Sequence, residues 1–238
     1  MALSEATREK LKKVATPTIM TALYKRGLRN QWIQDVRRIN PKAGPMVGEA
    51  FTLRYMPARE DLNPITIFRD RNHPQRQAVE QCPPGCVFVI DSRKDARAAS
   101  AGSILISRLM VRGAAGIVTD GGFRDTPELE SIDFPCYHSR PSAPTNLTLH
   151  QAIDINVPIG CGDAPVFPGD VIMGDAEGVL VIPAHLADEI ADETTEMTAY
   201  EDFVTERVLA GQSILGLYPA TDEENLKTFA TWRKERNR

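Results

Sequence analysis

Apolar residues change their period twice along this chain. Near the N-terminus they recur at helical spacing: Ser4 can cap a first helix to about Val14, and Thr16-Pro17 fits an N-cap and first-turn pair for a second, which Gly27 ends. From about residue 31 to Ile182 they gather instead into short runs broken by glycine and proline. Trp32, Ile33 and Val36, then Gly48 to Met56, Val87–Asp91, Gly116–Thr119, Cys136–His138, Ile153–Val157, Val171–Met173 and Val179–Ile182 read as strands. Two helical stretches interrupt them, a short one over 75–82 and a longer one carrying Ile104, Leu105, Leu109 and Met110 up to Gly113. Asp61 to Pro74 is polar and proline-punctuated, a loop or irregular insertion. Helical spacing returns from Ala184 to Leu209, closed by Gly211, and again after Thr221, a candidate cap with Asp222, Glu223 and Glu224 in the following turn. The pattern predicts one α/β domain, with a core at about 45–183 and helical extensions at 1–30 and 184–238.

Composition narrows the function classes. The 238 residues carry 28 Lys and Arg against 32 Asp and Glu, a net charge of −4 with no basic block, so nucleic-acid binding is not expected. No apolar run is long enough to span a membrane, and the first residues lack the apolar core of a signal peptide, so the expected location is cytoplasmic. Four cysteines give no disulfide framework, and Cys82-Pro-Pro-Gly-Cys86 has no second Cys/His pair to complete a zinc site. The acidic turns Pro168-Gly169-Asp170 and Gly174-Asp175-Ala176-Glu177-Gly178 read as strand connections whose aspartates bond their own backbone. The polar stretch 57–76, with Arg59, Arg69, Arg71 and His73, reads as plain surface or as a shaper of specificity.

Residues 102–129 carry the chemistry. An apolar helix begins just after Ala101-Gly102-Ser103, where unpaired N–H groups of residues such as Ile104 and Leu105 favour an anion. Past strand 116–119 the turn Asp120-Gly121-Gly122 delivers Arg124 and Asp125. Arginine grips a carboxylate with two parallel donors, and an aspartate holds a hard divalent cation such as Mg²⁺ or Mn²⁺ that keeps most of its waters. Thr126-Pro127-Glu128 reads as a helix start, placing Glu128 one turn from Asp125. Together these groups suit a 2-oxo acid. The plainer reading is a surface ion pair followed by a glutamate that favours a helix dipole.

The stretch from about Val87 to Val181 resembles the RraA-like family, which includes ribonuclease regulators and class II pyruvate aldolases acting on 4-hydroxy-4-methyl-2-oxoglutarate and 4-carboxy-4-hydroxy-2-oxoadipate. Arg112-Gly113-Ala114-Ala115-Gly116, Asp120-Gly121-Gly122-Phe123-Arg124-Asp125, Pro168-Gly169-Asp170 and Gly174 to Val179 carry the resemblance. It implies a fold similar to swivelling phosphohistidine-type domains, assembled as a homotrimer or a hexamer (a dimer of trimers). It also implies that Arg124 binds a pyruvyl carboxylate, that Asp125 binds Mg²⁺ or Mn²⁺, and that Gly102, Ser103, Ile104 and Leu105 complete the substrate pocket. A glutamate from a neighbouring subunit's C-terminal helix contributes in such aldolases; Glu201 matches best, with Glu196 competing. Ser103 departs from the aspartate that the aldolases favour there. The implied activity is metal-dependent retro-aldol cleavage of a 2-oxo acid, or decarboxylation of oxaloacetate, through a pyruvate enolate. No lysine lies in 102–129, which favours metal over imine chemistry. The alternatives are a dehydratase or aldolase of sugar-derived 2-keto-3-deoxy acids, and a non-catalytic, ribonuclease-regulator-like binding protein.

Overall fold

The computed structural model describes residues 3–236; positions 1–2 and 237–238 of the two expected extensions lie outside the described residues. In chain order the elements begin with α1 (Glu5–Leu11), α2 (Thr16–Lys25), β1 (Trp32–Ile33), β2 (Arg37–Arg38) and β3 (Met46–Pro57). A 3₁₀ turn over Ile65–Arg69 precedes α3 (Pro74–Gln81), β4 (Val87–Asp91), β5 (Ala99–Ala101), α4 (Ser103–Val111), β6 (Gly116–Thr119), β7 (Gly122–Phe123) and α5 (Thr126–Leu129). Then come β8 (Cys136–His138), β9 (Arg140–Pro141), β10 (His150–Ile155), β11 (Ile159–Cys161), β12 (Ala164–Val166), β13 (Val171–Gly174) and β14 (Val179–Ile182). Helices α6 (Ala187–Leu209) and α7 (Glu223–Arg236) close the chain.

A mixed sheet in the order β1-β14-β13-β3-β4-β6-β8-β2 forms the centre, with β10 also pairing β3. Its middle, β3-β4-β6-β8, is parallel. These strands are buried on both faces, which is why Val87–Ile90 and Ile117–Val118 read as continuous apolar runs rather than alternating ones. One face packs against α3 and α4 through Phe51, Leu53, Phe88, Ile90, Ile106 and Leu109. The β13-β14 side packs against α1, α2 and α6 through Leu11, Ile19, Leu23, Met173, Leu180 and Ile190. Helix α7 folds back on α6 over Phe203, Leu217 and Trp232.

Three helix ends differ from the expected ones. Helix α1 has Ser4 as its cap, the side chain accepting the Thr7 N–H, but stops at Leu11. Ala15, not Thr16, is the N-cap residue of α2; Thr16 N–H and its hydroxyl donate to Asp175 across the molecule, at 2.8 and 3.0 Å. At α7 the cap is Asp222 rather than Thr221, its carboxylate accepting the Glu224 N–H at 3.0 Å. Each side-chain oxygen reaches a first-turn amide that the helix cannot satisfy. The acidic turns behave as the sequence suggests: Asp175 also accepts the Glu177 N–H, and Asp170 accepts those of Phe167 and Ala184.

Candidate active site

A small parallel sheet, β5-β7-β9, stands apart from the main one and builds the site. Ala99 pairs with Gly122 and Ala101 with Phe123, and Arg124 N–H donates to Ala101 O at 3.1 Å. Side-by-side parallel strands end together. The start of α4 and the Arg124-Asp125 turn, far apart in sequence, are therefore neighbours. Beneath β5 the hydroxyls of Ser92, Ser100 and Thr119 bond one another at 2.6 to 3.0 Å, fully buried. Tyr55 OH and the Gln75 amide donate to Ser100 O, at 2.7 and 2.9 Å. This network fixes the floor on which the site stands.

Gly102, extended at φ −131° and ψ −179°, precedes α4 and offers no side-chain cap. Ser103, expected near the cap, is the first helical residue instead. The cap comes from Asp125, whose Oδ2 accepts Ser103 N–H at 3.0 Å and its hydroxyl at 3.2 Å. A Cβ on Gly102 would lie 2.6 Å from that oxygen and 2.7 Å from Arg124 Nε, so only glycine permits this approach. The first intrahelical acceptor, Gly102 O, takes Ile106 N–H, leaving the Ile104 and Leu105 amides without an acceptor in the helix.

Asp125 adopts a left-handed conformation, φ 59° and ψ 34°, which aspartate tolerates better than most residues. Its side-chain contacts, with Ser103 and with Arg124 Nε at 3.6 Å, all fall on Oδ2. The Arg124–Asp125 pair is partly exposed on both sides, so it contributes at most about 1 kcal/mol and leaves both groups available to a ligand. Glu128, one turn into α5, is exposed, and its N–H donates to Asp125 O. Among the described residues no three His, Cys, Asp or Glu side chains converge as a ready metal cage. A single carboxylate suits a hard cation that keeps its waters and does not suit zinc.

Arg124, Gly102, Ile104 and Leu105 line one cavity of about 710 Å³. Its other wall is one that the sequence reading missed: Ile65 and Phe68 from the 3₁₀ turn, and Gln75 and Arg76 from α3. Arg59, Arg69, Arg71 and His73, the residues singled out in that stretch, are not part of the lining. The only usable signal was Pro74 opening a helix right after the insertion, which aims the first helical turn at whatever the loop encloses.

The remaining candidates fall elsewhere. Glu201 accepts the Thr18 hydroxyl of its own chain at 2.7 Å, and Glu196 is held by both terminal nitrogens of Arg233. Burial pushes the thiols of Cys82 and Cys136 up to about 12, which fits inert packing residues. Asp120, from the same turn that delivers Arg124, accepts N–H bonds from Ser92, Lys94 and Gly162. It braces the turn rather than facing the cavity.

Comparison with known proteins gives a consistent picture. The profile of the RraA-like family, described as Aldolase/RraA, matches residues 16–181. A protein of Halalkalibacterium halodurans, provisionally named 4-hydroxy-4-methyl-2-oxoglutarate aldolase, is 35% identical over 136 residues, covering 56% of this chain and 63% of that relative's own length. The 4-hydroxy-4-methyl-2-oxoglutarate aldolase of Thermus thermophilus is 28% identical over 60% of this chain and 85% of its own. The crystal structure of Streptomyces coelicolor RraAS2, described as an unusual member of the RNase ES inhibitor RraA protein family, superposes with a TM-score of 0.75 at 24% identity, covering 85% of this chain and 97% of that one.

Proposed function

The chain belongs to the RraA-like family, and from that premise we propose that it is a lyase cleaving a 2-oxo acid to release pyruvate, by retro-aldol cleavage or by decarboxylation of oxaloacetate. One observation carries the reading. Arg124 and the first amides of α4 share a cavity whose lining includes no acidic residue, with the Asp125 carboxylate at its edge beside Arg124. That is a cationic pocket on a chain of net charge −4.

In the proposed complex the Arg124 guanidinium takes the substrate's 1-carboxylate through two parallel donors, and the Ile104 and Leu105 amides add the positive end of the helix. Asp125 would hold Mg²⁺ or Mn²⁺, with Glu128 orienting its waters. Bound there, the cation supplies Lewis-acid stabilisation of the charge that develops on the 2-oxo oxygen. Ser103, where the aldolases favour aspartate, cannot act as a carboxylate base, so proton transfer falls to a water held by Asp125 or Glu128. Glu201 enters the proposal as the group that a second copy of the chain would supply in a homotrimer or hexamer.

The test is pyruvate release from oxaloacetate and from 4-hydroxy-4-methyl-2-oxoglutarate, with Mg²⁺ or Mn²⁺ and again with EDTA. Release that needs the metal, and that falls about 100-fold or more in Arg124→Ala and in Asp125→Ala, is the expected result. No release from either substrate, together with a melting temperature indifferent to the metal, would replace the lyase with a protein-masking role.

A further inference from the structure

Arg76 is the second cation of the cavity, and its environment is built rather than incidental. Pro74 starts α3 and so presents Gln75 and Arg76 in its first turn. Gln75 is buried and locked, its amide donating to Tyr55 OH at 2.8 Å and to Ser100 O at 2.9 Å. Its remaining oxygen, Oε1, accepts from Arg76 Nη1 at 3.1 Å, which ties one corner of the guanidinium to the floor of the site. The face of that guanidinium lies on Phe68, 4.4 Å from the ring centre. Stacking on one side and a hydrogen bond at one corner hold the fork while leaving its other donors unspent.

No carboxylate lies within ion-pairing distance of Arg76 among the described residues, although acidic groups outnumber basic ones over the chain. Burial, and to a lesser degree repulsion from Arg124, holds its pKa below the usual arginine value. Two arginines lining one cavity repel each other, and a ligand carrying negative charge at both ends relieves that repulsion while pairing with each.

We propose that Arg76, stacked on Phe68 and anchored by Gln75, binds the distal carboxylate of the substrate while Arg124 binds the 1-carboxylate, making Arg76 the residue that selects dianionic over monoanionic 2-oxo acids. This rests on the lyase reading only for the orientation of the substrate; the selection itself is a property of binding. Ile65 and Phe68 then line the apolar span between the two charged ends.

The experiment compares 2-oxoglutarate with 2-oxopentanoate, which differ by a terminal carboxylate in place of a methyl group. Their binding to the Mg²⁺-supplied protein is measured by calorimetry for the native chain, Arg76→Gln and Arg76→Lys. The native protein should favour 2-oxoglutarate by about 10- to 100-fold, Arg76→Gln should lose that preference while binding 2-oxopentanoate as before, and Arg76→Lys should keep part of it. The lysine variant guards against a folding defect in the glutamine one. A native protein that binds the pair equally, or an Arg76→Gln that keeps the preference, overturns the proposal. The outcome is independent of turnover: a protein that shows the preference but cleaves nothing retains this subsite and loses the lyase reading.

Discussion

A methyl group at Gly102 would collide with Asp125 and Arg124 at once, yet the backbone angles there are open to any residue. Gly102→Ala should therefore fold and melt nearly as the native chain does while displacing both chemical groups. Because a misplacement of about 1 Å costs on the order of 100-fold in rate, pyruvate release should fall by at least about tenfold with little change in circular dichroism. A rate equal to the native one would mean that Arg124 and Asp125 need not hold these positions. Two buried groups away from the cavity set the pH dependence of stability. His138, stacked on Phe123, is held down to about 4 by burial and then by Arg37; Asp120 is pushed up to about 6 by burial. The depressed histidine contributes stability that is full above its ordinary 6.5 and is lost as pH falls toward 4. The raised aspartate works in the opposite sense: its contribution is full below its ordinary 3.8 and is lost as pH rises through 6. The two slopes oppose each other between about pH 4 and 6. His138→Gln should remove one of them, so the native-minus-variant stability, read from urea unfolding, should grow by about 2 kcal/mol from pH 4.5 to 6.5. A difference independent of pH would show that His138 does not titrate this way.

At the scale of elements, the starts of α2 and α4 are held by side chains far away in sequence. Asp175, in the turn between β13 and β14, satisfies the first amide of α2. Replacing it with alanine should cost about 1–2 kcal/mol, measured as a lower denaturant midpoint with unchanged slope, whereas Glu177→Ala in the same turn should cost little. The same geography explains what could be read from the chain. Strands β4, β6, β8, β13 and β14 are apolar runs because both faces are covered, and they are visible without any partner. Strands β5, β7 and β9 are two or three residues long and exist only because they pair with one another; no local pattern marks them. Arg124, Asp125, Gly102 and the α4 amides were legible as a group because a helix start and a glycine turn flank them. That Asp125 rather than Ser103 caps α4 was not, because the contact depends on pairing between β5 and β7. Arg76 escaped for another reason: its segment has the composition of plain surface, and only the folded cavity shows what it faces.

Across the whole molecule, the terminal helices are tied to the sheet rather than appended to it. The acidic face of α6 meets Lys10 from α1, Lys25 and Arg26 at the end of α2, and Arg233 and Arg236 from α7. This strongly acidic helix thus has cations from three other segments spread along it. Trp232, buried, donates its ring N–H to Glu206 at 2.9 Å and closes the α6–α7 hairpin over Phe203. None of the described helices is long and apolar enough to cross a membrane.

The cavity draws its two walls from segments with different mechanical duties. Arg124 and Asp125 follow β7 and are fixed by its pairing with β5 and β9 in the small sheet, whereas Ile65 and Phe68 belong to a stretch between β3 and α3 that pairs with no strand. Lengthening or rewriting such a stretch costs little, since closure entropy grows only with the logarithm of loop length. On the proposed function, sequence change in residues 58–73 can therefore alter what this scaffold accepts while the Arg124 carboxylate site stays put. Transplanting that segment between relatives is thus a direct route to swapping their substrate preferences.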